Sequence, residues 1–155
     1  MALNSEQLKK ILEKNEMTKP YFRGVYPACM CPKIDKRKSF GWIMNNQAHD
    51  KKGEHWLLWF YSKRRNVLYF ADSFGRNPLD SCFPHSFSHI INNFEEIEYL
   101  SSAVQGYTSW TCGYFVVHAF LLLSIGLDLH NFRNEYGDIT NKNDYKVLRI
   151  VKSLF

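Results

Sequence analysis

Four stretches of the chain are apolar on consecutive residues, whereas both ends are apolar only at every third or fourth position. His55 to Tyr61 reads His-Trp-Leu-Leu-Trp-Phe-Tyr. A strand without a polar face must be covered on both sides, so this segment predicts a central buried strand. Phe40 to Asn45 and Val67 to Asp72 predict two more strands, and Ser62-Lys63-Arg64-Arg65 a short turn before the second of them. Thr111 to Ile125 is longer and nearly all apolar, which predicts a buried helix stopped near Gly126. At the N-terminal end, Leu8, Ile11 and Leu12 form one stripe on a helix over Asn4 to Asn15, with Asn4 or Ser5 as its cap. At the C-terminal end, Asn143 to Leu154 predicts an amphipathic helix. Its apolar side is Val147, Leu148, Val151 and Leu154, and Lys142, Lys146 and Arg149 form a basic stripe. Met17 to Arg37, punctuated by Pro20, Gly24, Pro27 and Pro32, reads mostly as loop, and Asn46 to Gly53 as a polar loop. Phe87 to Asn93 is expected as a short helix and Glu96 to Leu100 as a strand or extended segment. Strands in the middle and helices at the ends predict an α+β fold: a central, mostly antiparallel sheet flanked by helices, in a single domain over 1–155.

Composition narrows the class. At 45% hydrophobic and 16% aromatic residues, the chain has the material for a core and is unlike a disordered sequence. The longest apolar run, Tyr114 to Leu123, is broken by His118 and falls well short of the ~18 residues of a membrane helix. Met1 to Lys10 lacks the apolar core of a signal peptide, so an intracellular, reducing location and no membrane association are expected. The four cysteines, Cys29, Cys31, Cys82 and Cys112, match neither a disulfide framework nor a standard zinc spacing. Cys29 and Cys31 read either as loop thiols, the favoured reading, or as contributors to a metal site with His85 or His89. A net charge of +5 fits either an acidic partner such as nucleic acid or a basic solubilising surface.

The candidate chemistry lies at the edges of these elements. Cys112 opens the buried helix, His55 opens the central strand and Asp72 closes the next one, while Gln105 precedes the cysteine by seven residues. Thiol, imidazole, carboxylate and amide are the parts of a cysteine hydrolase. A turn centred between Lys63 and Arg64 would place Tyr61 opposite Asn66 and His55 opposite Asp72, with Cβ atoms ~4.5–5.5 Å apart on one face. Thr111 would cap the helix, so that its first turn stabilises a Cys112 thiolate. The Cys112 N–H and the Gln105 amide would then serve as oxyanion donors. Gly113 would leave the approach to the thiol open. Taken singly, each residue has a plainer reading: a core cysteine, a surface histidine, and a turn at Asp72-Ser73-Phe74-Gly75.

As a set, Gly53-Glu54-His55-Trp56, Phe70-Ala71-Asp72-Ser73-Phe74-Gly75, Val104-Gln105-Gly106 and Cys112-Gly113-Tyr114-Phe115 resemble the adenovirus protease family, adenain. That family sits in the clan that includes the SUMO and ubiquitin-like proteases. Ser5-Glu6-Gln7 and Pro20-Tyr21-Phe22-Arg23-Gly24 add to the likeness, which spans about Ser5 to Ile125. The resemblance implies a cysteine endopeptidase with His55 as base, Cys112 as nucleophile, Asp72 orienting the base and Gln105 in the oxyanion hole. It also implies that Trp56 walls a narrow substrate cleft and that cleavage follows glycine-containing motifs. Viral precursor polypeptides would be the substrates, in the host nucleus or the virion. Neither metal nor organic cofactor is implied, although adenain binds DNA without sequence preference and is activated by a viral peptide through a disulfide.

Three departures qualify the likeness. Adenain commonly has glutamate where this chain has Asp72. The position of the cofactor-linking cysteine corresponds to Phe94, so a noncovalent peptide activator or basal activity is expected, with Cys82 as the alternative linking thiol. The chain is also shorter after the nucleophile helix. A monomer is expected. The rival readings are an isopeptidase acting on ubiquitin or SUMO, and an inactive DNA-binding virion protein that keeps the fold.

Overall fold

The computed structural model describes residues 1–46 and 55–155. Apart from Asn46, the expected polar loop lies outside the described residues, as do Gly53 and Glu54 of the first family-like block. Strands β1 (Phe22–Tyr26), β2 (Phe40–Asn45), β3 (Trp56–Ser62), β4 (Val67–Ala71) and β5 (Ile97–Tyr99) form one sheet in chain order. Helices α1 (Ser5–Lys14), α2 (Ser86–Ile91), α3 (Cys112–Ser124), α4 (Leu129–Asn134) and α5 (Thr140–Lys152) flank it. The α+β class is as expected. The expected mostly antiparallel sheet is mixed: β2–β3–β4 are antiparallel, whereas β1 joins β2 and β5 joins β4 in parallel. A parallel neighbour requires a crossover connection, and α2 lies in the one between β4 and β5.

Side-chain alternation turns the doubly apolar strands into two cores. On one face Trp42, Met44, Leu57, Trp59, Leu68 and Phe70 pack with Phe83, Phe87 and Ile90, around α2. On the other, Ile43, Leu58, Phe60, Tyr69 and Ala71 pack against α3, with α1, α4 and α5 closing the layer. The site residues sit where these layers end. His55 precedes β3, Asp72 follows β4, and Cys112 is the first residue of α3.

Local chemistry sets the element ends. Asn4 caps α1 in a reciprocal pair with Gln7, each backbone N–H donating to the other's side-chain oxygen at 2.9 Å. Asp128 and Asn131 do the same for α4, a helix the periodicity does not announce. Gly126 adopts φ 95° and ends α3, where its carbonyl accepts from Arg65 Nη2 at 2.9 Å. The β3–β4 turn differs from the expected one. Ser62 pairs with Val67, leaving a four-residue turn in which Asn66 takes the left-handed φ of 52°. The register is therefore shifted by two residues: Tyr61 faces Leu68, not Asn66. An even shift keeps every side chain on its face. Continuing the register brings Phe74 opposite His55 and leaves Asp72 one diagonal step away. β1 lies within the stretch expected mostly as loop; its glycine-broken, proline-flanked sequence carries little strand signal, and pairing with β2 recruits it.

Candidate active site

The turn after β4 is built by Asp72-Ser73-Phe74-Gly75. The Gly75 N–H donates to the Asp72 carbonyl at 2.7 Å, and Gly75 holds φ 76°. A Cβ there would come within 2.4 Å of the Ser102 backbone, so only glycine lets this turn press against the next segment. The contact continues through the Ser73 carbonyl, which accepts from the N–H groups of Val104 and Gln105 at 2.9 and 3.1 Å. The turn and the placement of Asp72 are thus one feature, not rival readings.

His55 and Asp72 come together. Asp72 is fully buried, and its Oδ1 lies 2.6 Å from His55 Nε2 and accepts from the Phe74 N–H at 3.1 Å. Phe74 stacks flat on the imidazole, 4.8 Å between centroids, fixing the ring from the side. Because Nε2 is engaged by Asp72, Nδ1 is the nitrogen left for Cys112, to which His55 is also hydrogen-bonded. Burial opposes the imidazolium, but the bonds to Asp72 and Cys112 outweigh it and raise the His55 pKa from 6.5 to about 9. Burial likewise opposes the Asp72 carboxylate, yet His55 and Arg76 together hold its pKa below the ordinary carboxylate value.

Arg76 was not foreseen. Its Nε donates to Asp72 Oδ2 at 2.5 Å, while its guanidinium lies between the rings of Phe74 and Phe83, 5.5 and 4.9 Å from their centroids. Both carboxylate oxygens of Asp72 therefore have donors. The one available signal was an arginine four residues after the aspartate, and that spacing acquires meaning only once the turn is known.

The opposite side of the site is the segment from Gln105 to Cys112. Gln105 is buried, its Oε1 accepting from the Ser73 hydroxyl and its Nε2 donating to the Ser109 carbonyl at 2.8 Å. An amide nitrogen carries two hydrogens, so this bond leaves Gln105 one more to donate. Thr111 precedes α3 but does not cap it with its side chain, which donates instead to Asp144 at 2.7 Å. Cys112 is buried at 5% exposure, in the first turn where backbone N–H groups and the helix dipole favour negative charge. Gly113, expected to leave the approach to the thiol open, is instead covered by Leu3 and Trp56. A Cβ on Gly113 would lie 3.1 Å from Leu3 Cβ and 3.3 Å from Trp56 Cδ1, and the Trp56 indole donates to the Leu3 carbonyl at 2.9 Å. An open groove lies on the other flank, lined by Phe74, Arg76, Ala103, Gln105, Tyr107 and Thr140. Tyr107 and Trp110 stand exposed on the loop beside it.

The remaining sequence candidates divide differently. Cys29, Cys31 and His89 line one pocket, but among the described residues no three His, Cys, Asp or Glu side chains form a metal-binding group. Several of the cations behind the net positive charge have partners within the fold. Arg64 and Arg65 reach the Gly126 carbonyl, Lys36 donates to the Asn93 carbonyl, Arg37 pairs with Asp35 and Lys146 with Glu135. Lys51 and Lys52 lie outside the described residues.

No protein-family model matches the chain, and no curated protein matches it in sequence. Solved structures do match. The fold is similar to that of the ASFV pS273R protease. That crystal structure superposes with a TM-score of 0.66 at 14% identity, covering 94% of this chain. The chain spans 65% of the length of that protease. A selenomethionine structure of the same protease matches with a TM-score of 0.47 at 16% identity, covering 70% of this chain and 42% of that one. The Legionella pneumophila effector protein RavZ matches at 0.40 and 14% identity, covering 97% and 43%; neither of these two carries weight.

Proposed function

We propose that this chain is a cysteine peptidase in which Cys112 is the nucleophile and His55 the acid–base. The observation that carries the reading is His55 itself, bonded at Nε2 to a buried aspartate and hydrogen-bonded to a thiol at a helix start. These groups suffice for acyl transfer. His55 takes up the Cys112 proton as the sulfur attacks. The sulfur attacks a backbone carbonyl carbon, and the carbonyl electron pair moves to oxygen. The Cys112 N–H and the free hydrogen of Gln105 Nε2 receive that oxyanion. Collapse breaks the C–N bond, His55 delivers its proton to the leaving amine, and a thioester remains on Cys112. His55 then takes a proton from water, whose oxygen attacks the thioester and releases the acid.

The finer reading is of adenain type: cleavage of viral precursor polypeptides after glycine-containing motifs during virion maturation. The likeness of fold to a protease from ASFV supports it. The open groove beside Phe74, Gln105 and Tyr107 suits an extended peptide. A noncovalent peptide activator fits Phe94, whose ring packs beside Tyr61 at 5.2 Å and has no thiol to offer. DNA as a partner would rest on the charge that remains after the internal pairings, and its binding would be non-specific and salt-sensitive.

The test is a peptide library with every residue represented before the scissile bond, assayed with and without reductant. Cleavage after glycine that disappears in Cys112→Ala supports the reading. Cleavage retained in Cys112→Ala overturns it, and efficient cleavage after Leu or Phe removes the glycine specificity.

A further inference from the structure

Two groups proposed to hold the oxyanion sit on opposite ends of one loop, Gln105 at its start and Cys112 just past its end. Such a loop needs something to hold its ends in one frame, because a displacement of about 1 Å at a reacting centre costs on the order of 10²-fold in rate. The residue that spans it comes from another element. Asp144 lies on α5, and its Oδ1 accepts from the Thr111 hydroxyl at 2.7 Å. Both of its oxygens lie 3.3 Å from the Gly106 N–H, which they share. One carboxylate thus grips the neighbour of Gln105 and the neighbour of Cys112.

The surrounding bonds form a closed circuit with every direction fixed. A carboxylate accepts, so the Thr111 hydroxyl donates to it and must accept from the Ser109 hydroxyl 2.6 Å away. Ser109 Oγ in turn accepts from the Thr111 N–H at 3.2 Å, and the Ser109 carbonyl accepts from Gln105 Nε2 at 2.8 Å. Gly106 admits the carboxylate: a Cβ at that position would stand 2.7 Å from Asp144 Oδ2. The preceding residue, Asn143, is buried and donates to the Val104 carbonyl at 3.1 Å, so α5 grips the loop at its base as well.

We propose that Asp144 is a positioning residue that sets the Gln105 amide and the Cys112 N–H at the spacing an oxyanion requires. The inference rests on the peptidase reading and deepens it. Asp144 touches neither His55 nor Asp72, so its loss should weaken oxyanion stabilisation while leaving the reactivity of the thiol intact. Iodoacetamide separates the two, because alkylation needs a reactive sulfur but forms no oxyanion. A glycine-terminated peptide aldehyde reports the other half, because its adduct with Cys112 places an oxygen in the oxyanion position.

In Asp144→Ala we expect kcat on a glycine-containing peptide to fall about 10- to 100-fold, a fraction of what losing a whole donor costs, with KM within about twofold. Aldehyde affinity should fall by a similar factor, and the iodoacetamide rate at Cys112 should stay within about threefold. Asp144→Asn, which keeps an oxygen for the Thr111 hydroxyl, should be intermediate. Thr111→Val should resemble Asp144→Ala, and the double variant should be little worse than either, as for members of one unit. Circular dichroism checks folding, and if Asp144→Ala does not fold, Asp144→Asn and Thr111→Val carry the same expectations. The proposal is overturned if folded Asp144 variants turn over peptide within twofold of the parent. It is equally overturned if alkylation and turnover fall together. A parent protein that cleaves no peptide and shows no preferred alkylation at Cys112 overturns the peptidase reading, and this proposal with it.

Discussion

Two buried histidines in this molecule titrate in opposite directions, and their partners account for it. His55 and His118 are both almost wholly inaccessible, at 8% and 4% exposure. His55 faces a buried carboxylate and a thiol, and its pKa rises to about 9. His118 sits inside α3, its Nδ1 2.6 Å from the Tyr136 hydroxyl, and burial drives its pKa down to about 4 against the opposing charge of Glu135. Burial alone disfavours the charged form in both. What distinguishes the site from the core is a counter-ion that is itself anchored, here by Phe74 and Arg76.

The contrast is broken most severely by deleting its reactive members. His55→Ala or Cys112→Ala should reduce peptide turnover by on the order of 10⁴-fold or more. His118→Phe should leave turnover per folded molecule within about twofold, while the orphaned Tyr136 hydroxyl costs roughly 1–3 kcal/mol of stability. Steady-state kinetics beside urea unfolding distinguishes these effects.

Next in size is the turn that carries the carboxylate. Gly75→Ala combines a left-handed φ of 76° with a Cβ 2.4 Å from the Ser102 backbone. A loss of ~3 kcal/mol or more is expected, well beyond the 1–2 kcal/mol of an ordinary glycine replacement in the left-handed region. Since Ser73 holds Gln105 from the same turn, the folded fraction should also be less active.

The histidines also predict opposed pH limits. For His118 the ordinary 6.5 stands above the folded value of about 4, so the unfolded chain binds the extra proton between them. Its stability contribution is complete above pH 6.5 and declines towards pH 4, by on the order of 2–3 kcal/mol. For His55 the order is reversed: its contribution is complete below pH 6.5 and is lost as pH rises through about 9. Thermal unfolding followed from pH 4 to 10 should therefore decline at both ends. Replacing His118 should flatten only the acid side, and replacing His55 only the alkaline side.

Among the site residues, the smallest effect should come from Arg76. In Arg76→Ala, Asp72 Oδ2 loses its donor, and turnover should drop about tenfold through looser placement of the imidazole. With the competing cation gone, the alkaline limb of the rate profile should move upward. A downward shift would show that Arg76 does not act on His55 through Asp72.

How much was readable beforehand depends on chain distance. The three central strands and α3 were legible because doubly buried segments are apolar throughout, and that apolarity is local. His55, Asp72 and Cys112 stand at element ends, whereas Gln105 lies in the loop between β5 and α3 and was legible only by its spacing from the cysteine. The β3–β4 register was wrong by two residues, since no local pattern separates a two-residue turn from a four-residue one. The face survived because the error was even. β1 exists only through pairing with β2, and the role of Asp144 only through α5 meeting a loop over thirty residues earlier in the chain. Thr111 was expected to cap α3 and instead serves Asp144. The contact of Trp56 and Gly113 with Leu3 lies beyond any motif.

The central claim is that a buried thiol is made reactive by its setting, and the four cysteines provide an internal comparison. Cys29, Cys31 and Cys82 are exposed and Cys112 is buried. The protein is incubated with a substoichiometric glycine-terminated peptide bearing a vinyl ester electrophile, and adducts are located by peptide mass mapping. The account predicts modification at Cys112 ahead of the three exposed thiols, and loss of that preference in His55→Ala. Modification that follows exposure, with Cys112 spared, would contradict it.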